Sequence, residues 1–309
     1  MVTISKRREV VRYLKSRGHT ERRACALMGL GRSTCRYRHR REHPERLVSR
    51  LHELAAKKPR YGYRFLHEQL QREGHKVNLK RVYRLYRDAG LAVRRRKRRK
   101  LRVSRPMPSV ALTRPNERWA MDFVHDYLAD GRRIRTLNVI DAYTRECLAI
   151  EVDTSLPSAR VIRVLDALIW QYGLPEALRI DNGPEFISMA LDRWAFRHGV
   201  KLDFIQPGKP TQNGHVESFN GHFRNECLAQ AHFPTLARAR VEIELWRVEY
   251  NCERPHSSLR YESPKTFGDR TRSQMPPPAG AAAALVGEND GAPGHQATCQ
   301  PVEERIEIN

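Results

Sequence analysis

Positive charge is concentrated in the first third of this 309-residue chain. Residues 1–110 contain 34 Lys and Arg against 8 Asp and Glu, whereas the remaining residues contain 23 and 27. An excess of this size repels itself unless a polyanion neutralises it, which favours a nucleic-acid-binding region joined to a near-neutral domain. A merely basic, soluble surface is the weaker interpretation. Membrane binding is disfavoured because the basic residues are not segregated onto one face of a helix whose opposite face is large and apolar.

The composition excludes several other classes of protein. A hydrophobic fraction of 40% is sufficient for a packed core, and the length allows two or three domains. No apolar run is long enough to span a bilayer or to serve as a signal peptide, so we expect a cytoplasmic protein. The six cysteines include no Cys-x-x-Cys pair, which favours buried free thiols over disulfides or a zinc site.

Residues 1–45 predict short helices joined by tight turns. Helical patterns at 5–17 and 21–28 are followed by a turn at Gly29-Leu30-Gly31 and a short helix from Ser33. This order is typical of a helix-turn-helix, although helical hairpins are also common in proteins that bind no DNA. If it is one, the last helix offers three arginines to a major groove: Arg36, Arg38 and Arg40.

A second basic helical segment is predicted at residues 46–92. Helices at 62–73 and 79–89 are separated at Gly74, and the second helix has a regular apolar stripe that predicts core packing. Its opposite face carries basic residues suited to a phosphate backbone: Lys80, Arg81, Arg84 and Arg87.

A block of seven basic residues follows this segment. It consists of Arg94, Arg95, Arg96, Lys97, Arg98, Arg99 and Lys100. Because such a block cannot pack, residues 93–115 are predicted to form an extended linker that becomes ordered against DNA. A solvated linker without a special role is the alternative for any single residue of the block.

From about residue 117 the pattern becomes typical of an α/β domain. Three successive strands are predicted at Trp119–Tyr127, Arg135–Asp141 and Glu146–Val152. Helices at 157–172, 187–198 and 211–229 then alternate with strands at 177–180 and 202–205. This order predicts one mixed sheet with helices packed on it, followed by a helix at 238–251 and a disordered tail at 271–309.

Three acidic residues have local contexts that suit metal binding. Asp122 interrupts an apolar strand, Asp181 ends a strand at the carboxyl edge of the sheet, and Glu217 borders the buried stripe of a helix. Arg224 points in the same direction as Glu217 on that helix. Mg²⁺ prefers oxygen ligands, and two ions about 3.5–4 Å apart activate the attacking oxygen and stabilise the leaving oxygen at a phosphodiester.

These residues also have ordinary structural interpretations. Asp181 can simply initiate a turn, and Glu217 can form a surface ion pair with Arg224. Since the chain contains 35 acidic residues, spacing alone leaves both interpretations open.

The flanking residues resemble those of a known family. The motifs Trp119-x-x-Asp122, Asp181-Asn-Gly-Pro-Glu-Phe and Asn213-Gly-x-x-Glu217-Ser-Phe-Asn, with 35 residues between the second acid and the third, resemble the DD(35)E signature of retroviral-integrase-like transposases. Tyr250-Asn-x-x-Arg-Pro-His-Ser-Ser-Leu resembles the C-terminal segment of that family. Tyr61-Gly-Tyr-Arg resembles the basic helical region of bacterial insertion-sequence transposases encoded in two reading frames. The resemblance covers about residues 5–268.

The resemblance implies an RNase H-like catalytic core at 116–230, with a mixed five-stranded sheet and flanking helices, followed by a helical extension at 231–270. It implies DNA cleavage and strand transfer, in which Asp122, Asp181 and Glu217 bind two Mg²⁺ or Mn²⁺ ions. Water first frees a 3′-OH at the end of the element, and that 3′-OH then attacks another strand. Arg224 is expected to steady the DNA, and no ATP is needed.

The resemblance also implies partners. We expect double-stranded DNA, a homo-oligomer assembled on it in the bacterial nucleoid, and an upstream-frame protein supplied separately or as a frameshift fusion. This chain has no leucine repeat of the kind found in that upstream protein, so we expect it to be the second-frame product alone. A non-catalytic regulator of the element's own transposition and a nuclease that cuts without joining are the alternatives.

Overall fold

The computed structural model of the chain describes residues 3–37, 45–93, 111–183, 186–206 and 213–275. The predicted DNA contacts Arg38, Arg40 and Arg94 to Lys100 lie outside these ranges, as does the predicted disordered tail from residue 276 onward. The described chain divides into two compact units at Arg50 and Leu51.

The first unit contains three short helices. They are α1 (Ile4–Ser16), α2 (Glu21–Leu27) and α3 (Arg32–Arg36). The hydroxyls of Thr3 and Thr20 accept hydrogen bonds from amides in the first turns of α1 and α2, where a helix otherwise leaves donors unsatisfied. Val11, Ala24 and Cys25 are buried in a small shared core. The predicted helices are confirmed, with ends that differ by a few residues.

The second unit begins with a helical segment. α4 (Glu45–Lys57) leads into it, and α5 (Tyr63–Arg72) and α6 (Leu79–Asp88) form a hairpin. The Asn78 side chain caps α6 by accepting a hydrogen bond from the Lys80 amide at 2.8 Å. Val82 and Tyr86 are buried, as the apolar stripe predicts.

A mixed five-stranded sheet forms the centre of this unit. Its strands are β1 (Trp119–Tyr127), β2 (Arg133–Asp141), β3 (Cys147–Asp153), β4 (Ala177–Ile180) and β5 (Lys201–Phe204), in the spatial order β3-β2-β1-β4-β5. β1 to β3 form an antiparallel meander, whereas β4 and β5 are parallel to β1. This is the RNase H-like arrangement that the sequence predicts.

Side chains alternate along a strand, so the sheet presents apolar residues on both faces. Helices cover each face. α7 (Ser158–Tyr172) and α8 (Met189–His198) pack on one face, against Trp119 and Met121. α9 (Gly214–Phe223) and α10 (Leu236–Cys252) pack on the other, against Ala120 and Val124. The helix predicted at 211–229 is divided in the structure. α9 ends at Phe223, and the chain continues as a π-helical turn, Arg224–Leu228.

Polar side chains of α10 cover the exposed edge of β3. The Asn251 amide donates to the Cys147 carbonyl and accepts from the Cys147 amide, both at 2.8 Å, so it replaces a neighbouring strand. Arg247 donates to the Cys147 carbonyl at 2.9 Å, and Arg240 donates to that of Val152 at 2.9 Å. These contacts protect an edge that would otherwise pair with another chain.

The last described helix, α11 (Pro264–Ser273), is fastened to the sheet by a buried ion pair between Arg272 and Glu146. It ends three residues beyond the predicted domain boundary at 270. Cys25, Cys147 and Cys227 are buried free thiols. Within the described ranges, no helix combines the length and apolar character needed to cross a lipid bilayer.

Candidate active site and DNA-binding surface

Asp122 and Asp181 are neighbours across two parallel strands. Ala120 of β1 pairs with Arg179 of β4, and two further residues along each chain lead to Asp122 and Asp181. Both aspartates are partly exposed. The Asp181 carboxylate accepts a hydrogen bond from the Gly183 amide at 3.0 Å, which turns the chain away just after the strand. Register and turn together place the two aspartates next to each other on the sheet.

The electrostatics of this position suit a cation. The pKa of Asp122 is raised to about 6, mainly by burial and also by the like charge of Asp181, against the opposing effect of hydrogen bonds from the Phe123 amide and from Asn220. None of the three candidate acids forms an ion pair within the described ranges, although Arg224 lies close enough for its charge to favour ionised Asp122. A carboxylate pair without a cationic partner is the donor set that a divalent ion prefers.

A third side chain, Asn220, contacts the aspartate pair directly. Its amide donates to Asp122 Oδ2 at 2.7 Å and accepts from the Asn138 amide at 2.6 Å. Asn138 is fully buried, and Asn220 is only 6% exposed, so this relay is fixed. The sequence does not reveal this role of Asn220 directly, although Asn220 stands three residues after Glu217 and therefore on the same face of α9.

Glu217 itself is exposed on α9, one helical turn from Asn220. Within the described ranges no three His, Cys, Asp or Glu side chains stand close enough to hold one metal ion. The structure therefore brings Asp122 and Asp181 together, whereas Glu217 is exposed on α9 and does not join them in a group of three. Arg224, at the start of the π-helical turn, is also exposed.

The predicted DNA contacts differ in what they offer to a phosphate. On α6, Lys80, Arg84 and Arg87 are exposed, whereas Arg81 is partly buried and has an interaction partner. In the first unit, Arg36 is held in an ion pair with Glu21 at 2.7 Å. Of these two helices, α6 therefore presents more exposed basic side chains to a phosphate backbone than α3 does.

Comparison with known proteins shows which families the chain matches. Residues 113–210 and residues 198–264 match two family models that are both described as an integrase core domain. Residues 42–99 match a model described as an HTH-like domain. The match falls on the segment that contains α4, α5 and α6.

Several proteins of insertion elements are similar to the chain over much of its length. An uncharacterised 31.7 kDa protein of insertion element IS407 from Burkholderia multivorans is 50% identical over 84% of this chain and 94% of its own. An uncharacterised 39.2 kDa protein of insertion element IS476 from Xanthomonas euvesicatoria is 45% identical over 87% of this chain and 78% of its own. The transposase for insertion sequence element IS904 from Lactococcus lactis is 28% identical over 50% of this chain and 62% of its own.

Proposed function

Because this chain belongs to the bacterial insertion-sequence transposases of the integrase superfamily, we propose that it cuts and joins DNA strands with Asp122, Asp181 and Glu217 as metal ligands. The observation that carries the proposal is the aspartate pair, whose mutual repulsion no positively charged side chain of the described chain relieves through an ion pair. A pair of bound Mg²⁺ ions would activate the attacking oxygen and stabilise the leaving oxygen.

The residues around the pair have distinct roles in this proposal. Asp122 is held by hydrogen bonds from Asn220 to one carboxylate oxygen and from the Phe123 amide to the other, which fix the orientation of the carboxylate. Glu217 is exposed and changes rotamer at little cost, which allows the third carboxylate to complete the site when ions and DNA are bound. Arg224 stands beyond Glu217 on the same helix, where its guanidinium binds a phosphate of the strand being cut.

The basic face of α6 supplies affinity for duplex DNA through phosphate contacts, while the core supplies the chemistry. Action as a homo-oligomer on DNA and dependence on an upstream-frame protein stay predictions of the family resemblance.

The test is a gel assay on an end-labelled duplex carrying the terminus of the element that encodes the chain. With Mg²⁺ the wild type should give nicked strands and, later, joined products, and a chelator should abolish both. Asp122→Asn and Glu217→Gln should bind the duplex normally and give neither product. Asp126→Asn is the matched control, because Asp126 lies on β1 and points to the same face as Asp122.

Each alternative predicts a different outcome of this assay. Metal-independent binding without any product would indicate a DNA-binding regulator, and nicked strands without joined products would indicate a nuclease. Retained cleavage by the Glu217→Gln variant would remove Glu217 from the mechanism.

A further inference from the structure

Arg254 is a buried arginine at the junction between the α4 to α6 segment and the catalytic core. It lies in the Tyr250-Asn-x-x-Arg-Pro-His motif just after α10, and it is only 4% exposed. Its Nε and Nη2 donate to the two carboxylate oxygens of Glu226, each at 2.8 Å. Such a two-point pair fixes the plane of the guanidinium as well as its position.

Aromatic rings from two parts of the chain surround the same guanidinium. Its centre lies 5.8 Å from the ring of Tyr61 and 5.4 Å from that of Phe65, and Tyr250 provides a third ring at 5.8 Å. Tyr61 precedes α5 and Phe65 lies in its first turn, whereas Tyr250 belongs to α10. Arg254 therefore bridges the helical segment and the core through cation–π contacts.

Further polar contacts fasten α5 to the chain around Arg254. Arg72 donates to the carbonyls of Glu253 at 2.6 Å and Tyr261 at 3.1 Å, and Gln69 donates to that of Glu253 at 3.3 Å. Lys58 forms an ion pair with Glu249. Lys58 precedes Tyr61 and Phe65 in the chain, and Gln69 and Arg72 follow them. Because contacts before and after the two rings attach α5 to the core, they hold the hairpin of α5 and α6 in one orientation.

Glu226 connects this junction to the candidate active site. It lies in the π-helical turn that continues α9, the helix that carries Glu217 and Asn220. Phe219 and Phe223 of α9 pack against Trp246 of α10, with ring centroids 5.8 and 5.2 Å away. The path from α5 to Glu217 therefore consists of one buried ion pair and one packed helix.

A buried ion pair is not needed to stabilise a core, since well-packed apolar residues often stabilise it equally well. We propose that Arg254 and Glu226 are positioning residues that set the distance between DNA bound on α6 and the carboxylates that cut it, and so determine which phosphodiester is attacked. This inference rests on the proposed function.

The experiment maps the nicked phosphodiester at single-nucleotide resolution on the duplex used above, with the full chain. Arg254→Lys keeps the charge but loses the fork and the planar stacking. Duplex affinity should stay within about twofold of the wild type, because the basic face of α6 is untouched. The single nick should spread over neighbouring phosphodiesters, and the rate at the original position should fall about tenfold.

Arg270→Lys is the matched control. Arg270 also contacts a glutamate, Glu262, through both Nε and Nη2, and it lies 5.1 Å from the ring of Phe267. This pair is more exposed, and within the described ranges its side chains form no hydrogen bond or ion pair with the α4 to α6 segment. It should leave the nick in place. A second variant, Arg72→Gln, breaks the junction at an exposed residue without disturbing the buried pair, and it should broaden the nick as well.

The outcomes separate the two proposals. If the wild type makes no nick, either alone or with the upstream-frame protein added, the proposed function fails. If the wild type nicks at one position and both Arg254→Lys and Arg72→Gln nick there at the same rate, the positioning role is overturned. If Arg254→Lys does not fold, Arg72→Gln decides: a broadened nick supports the positioning role, and an unchanged nick overturns it.

Discussion

The hydrogen bond from Asn220 to Asp122 makes the candidate active site testable without removing a metal ligand. In an Asn220→Ala variant, Asp122 loses a 2.7 Å hydrogen bond from a buried amide, and Asn138 loses its 2.6 Å acceptor. A hydrogen bond to a charged group contributes about 1.5–3 kcal/mol. Since about 1.4 kcal/mol corresponds to a factor of ten, activity or Mg²⁺ affinity should fall by about 10- to 100-fold.

The measurement is the rate of nicking as a function of Mg²⁺ concentration. If Asn220 orients Asp122 for metal binding, the variant needs a higher Mg²⁺ concentration for half-maximal rate, and saturating Mg²⁺ recovers part of the activity. Asn225→Ala is the control, because Asn225 is exposed on the π-helical turn and its amide donates only to the Gly221 carbonyl. Affinity for duplex DNA should not change in either variant.

A folded Asn220→Ala protein that nicks at the wild-type rate, with an unchanged Mg²⁺ midpoint, would refute this reasoning. It would mean either that Asp122 is oriented without Asn220 or that Asp122 does not bind the ion.

Three further predictions concern acid stability, packing and DNA affinity. Burial alone would raise the pKa of Glu226, but hydrogen bonds and charge interactions with Arg254 and His222 lower it from 4.5 to about 2. The shift contributes about 3 kcal/mol that is present above pH 4.5 and is lost as the pH falls towards 2. Glu226→Gln should therefore be less stable than the wild type in denaturant titrations at pH 7, and the difference should narrow below pH 4.5. Gly268→Ala would place a Cβ 2.8 Å from Arg272 Nη2 and 2.9 Å from Glu146 Oε2, so displacement of this pair should lower the free energy of unfolding by about 1–3 kcal/mol, measured by thermal denaturation. Arg84→Gln should weaken binding to duplexes of any sequence and reduce the slope of log affinity against log salt by about 0.9, whereas Lys201→Gln on β5 should leave the slope unchanged.

The sequence predicts the strands of the sheet well, because they follow from local patterns. A nearly continuous run of apolar residues predicts β1, and an acid inside that strand is costly enough to attract notice at Asp122. The turn after β4 likewise predicts the position of Asp181. Such signals need no knowledge of distant residues.

The junction at Arg254 could not be predicted in the same way. Tyr61 and Arg254 are far apart in the chain, and nothing local to either one shows that they meet. The contact between Asn138 and Asn220 is hidden for the same reason, since it depends on how α9 crosses β2. The change from α-helix to π-helical turn at Arg224 could not be predicted either. The sequence pattern from 211 to 229 indicates one continuous helix.

The contrast with three other acids supports a cation at the aspartate pair. Glu146, Glu226 and Asp203 each have an arginine partner within 3 Å, in a chain that carries a net charge of +22. The like charge of Asp181 raises the pKa of Asp122, and no ion pair within the described ranges offsets it, although the charge of Arg224 acts in the opposite direction. The direct support of Asp122 is instead the uncharged amide of Asn220. Neutral support orients the carboxylate and leaves its charge available, which is what binding a divalent ion requires.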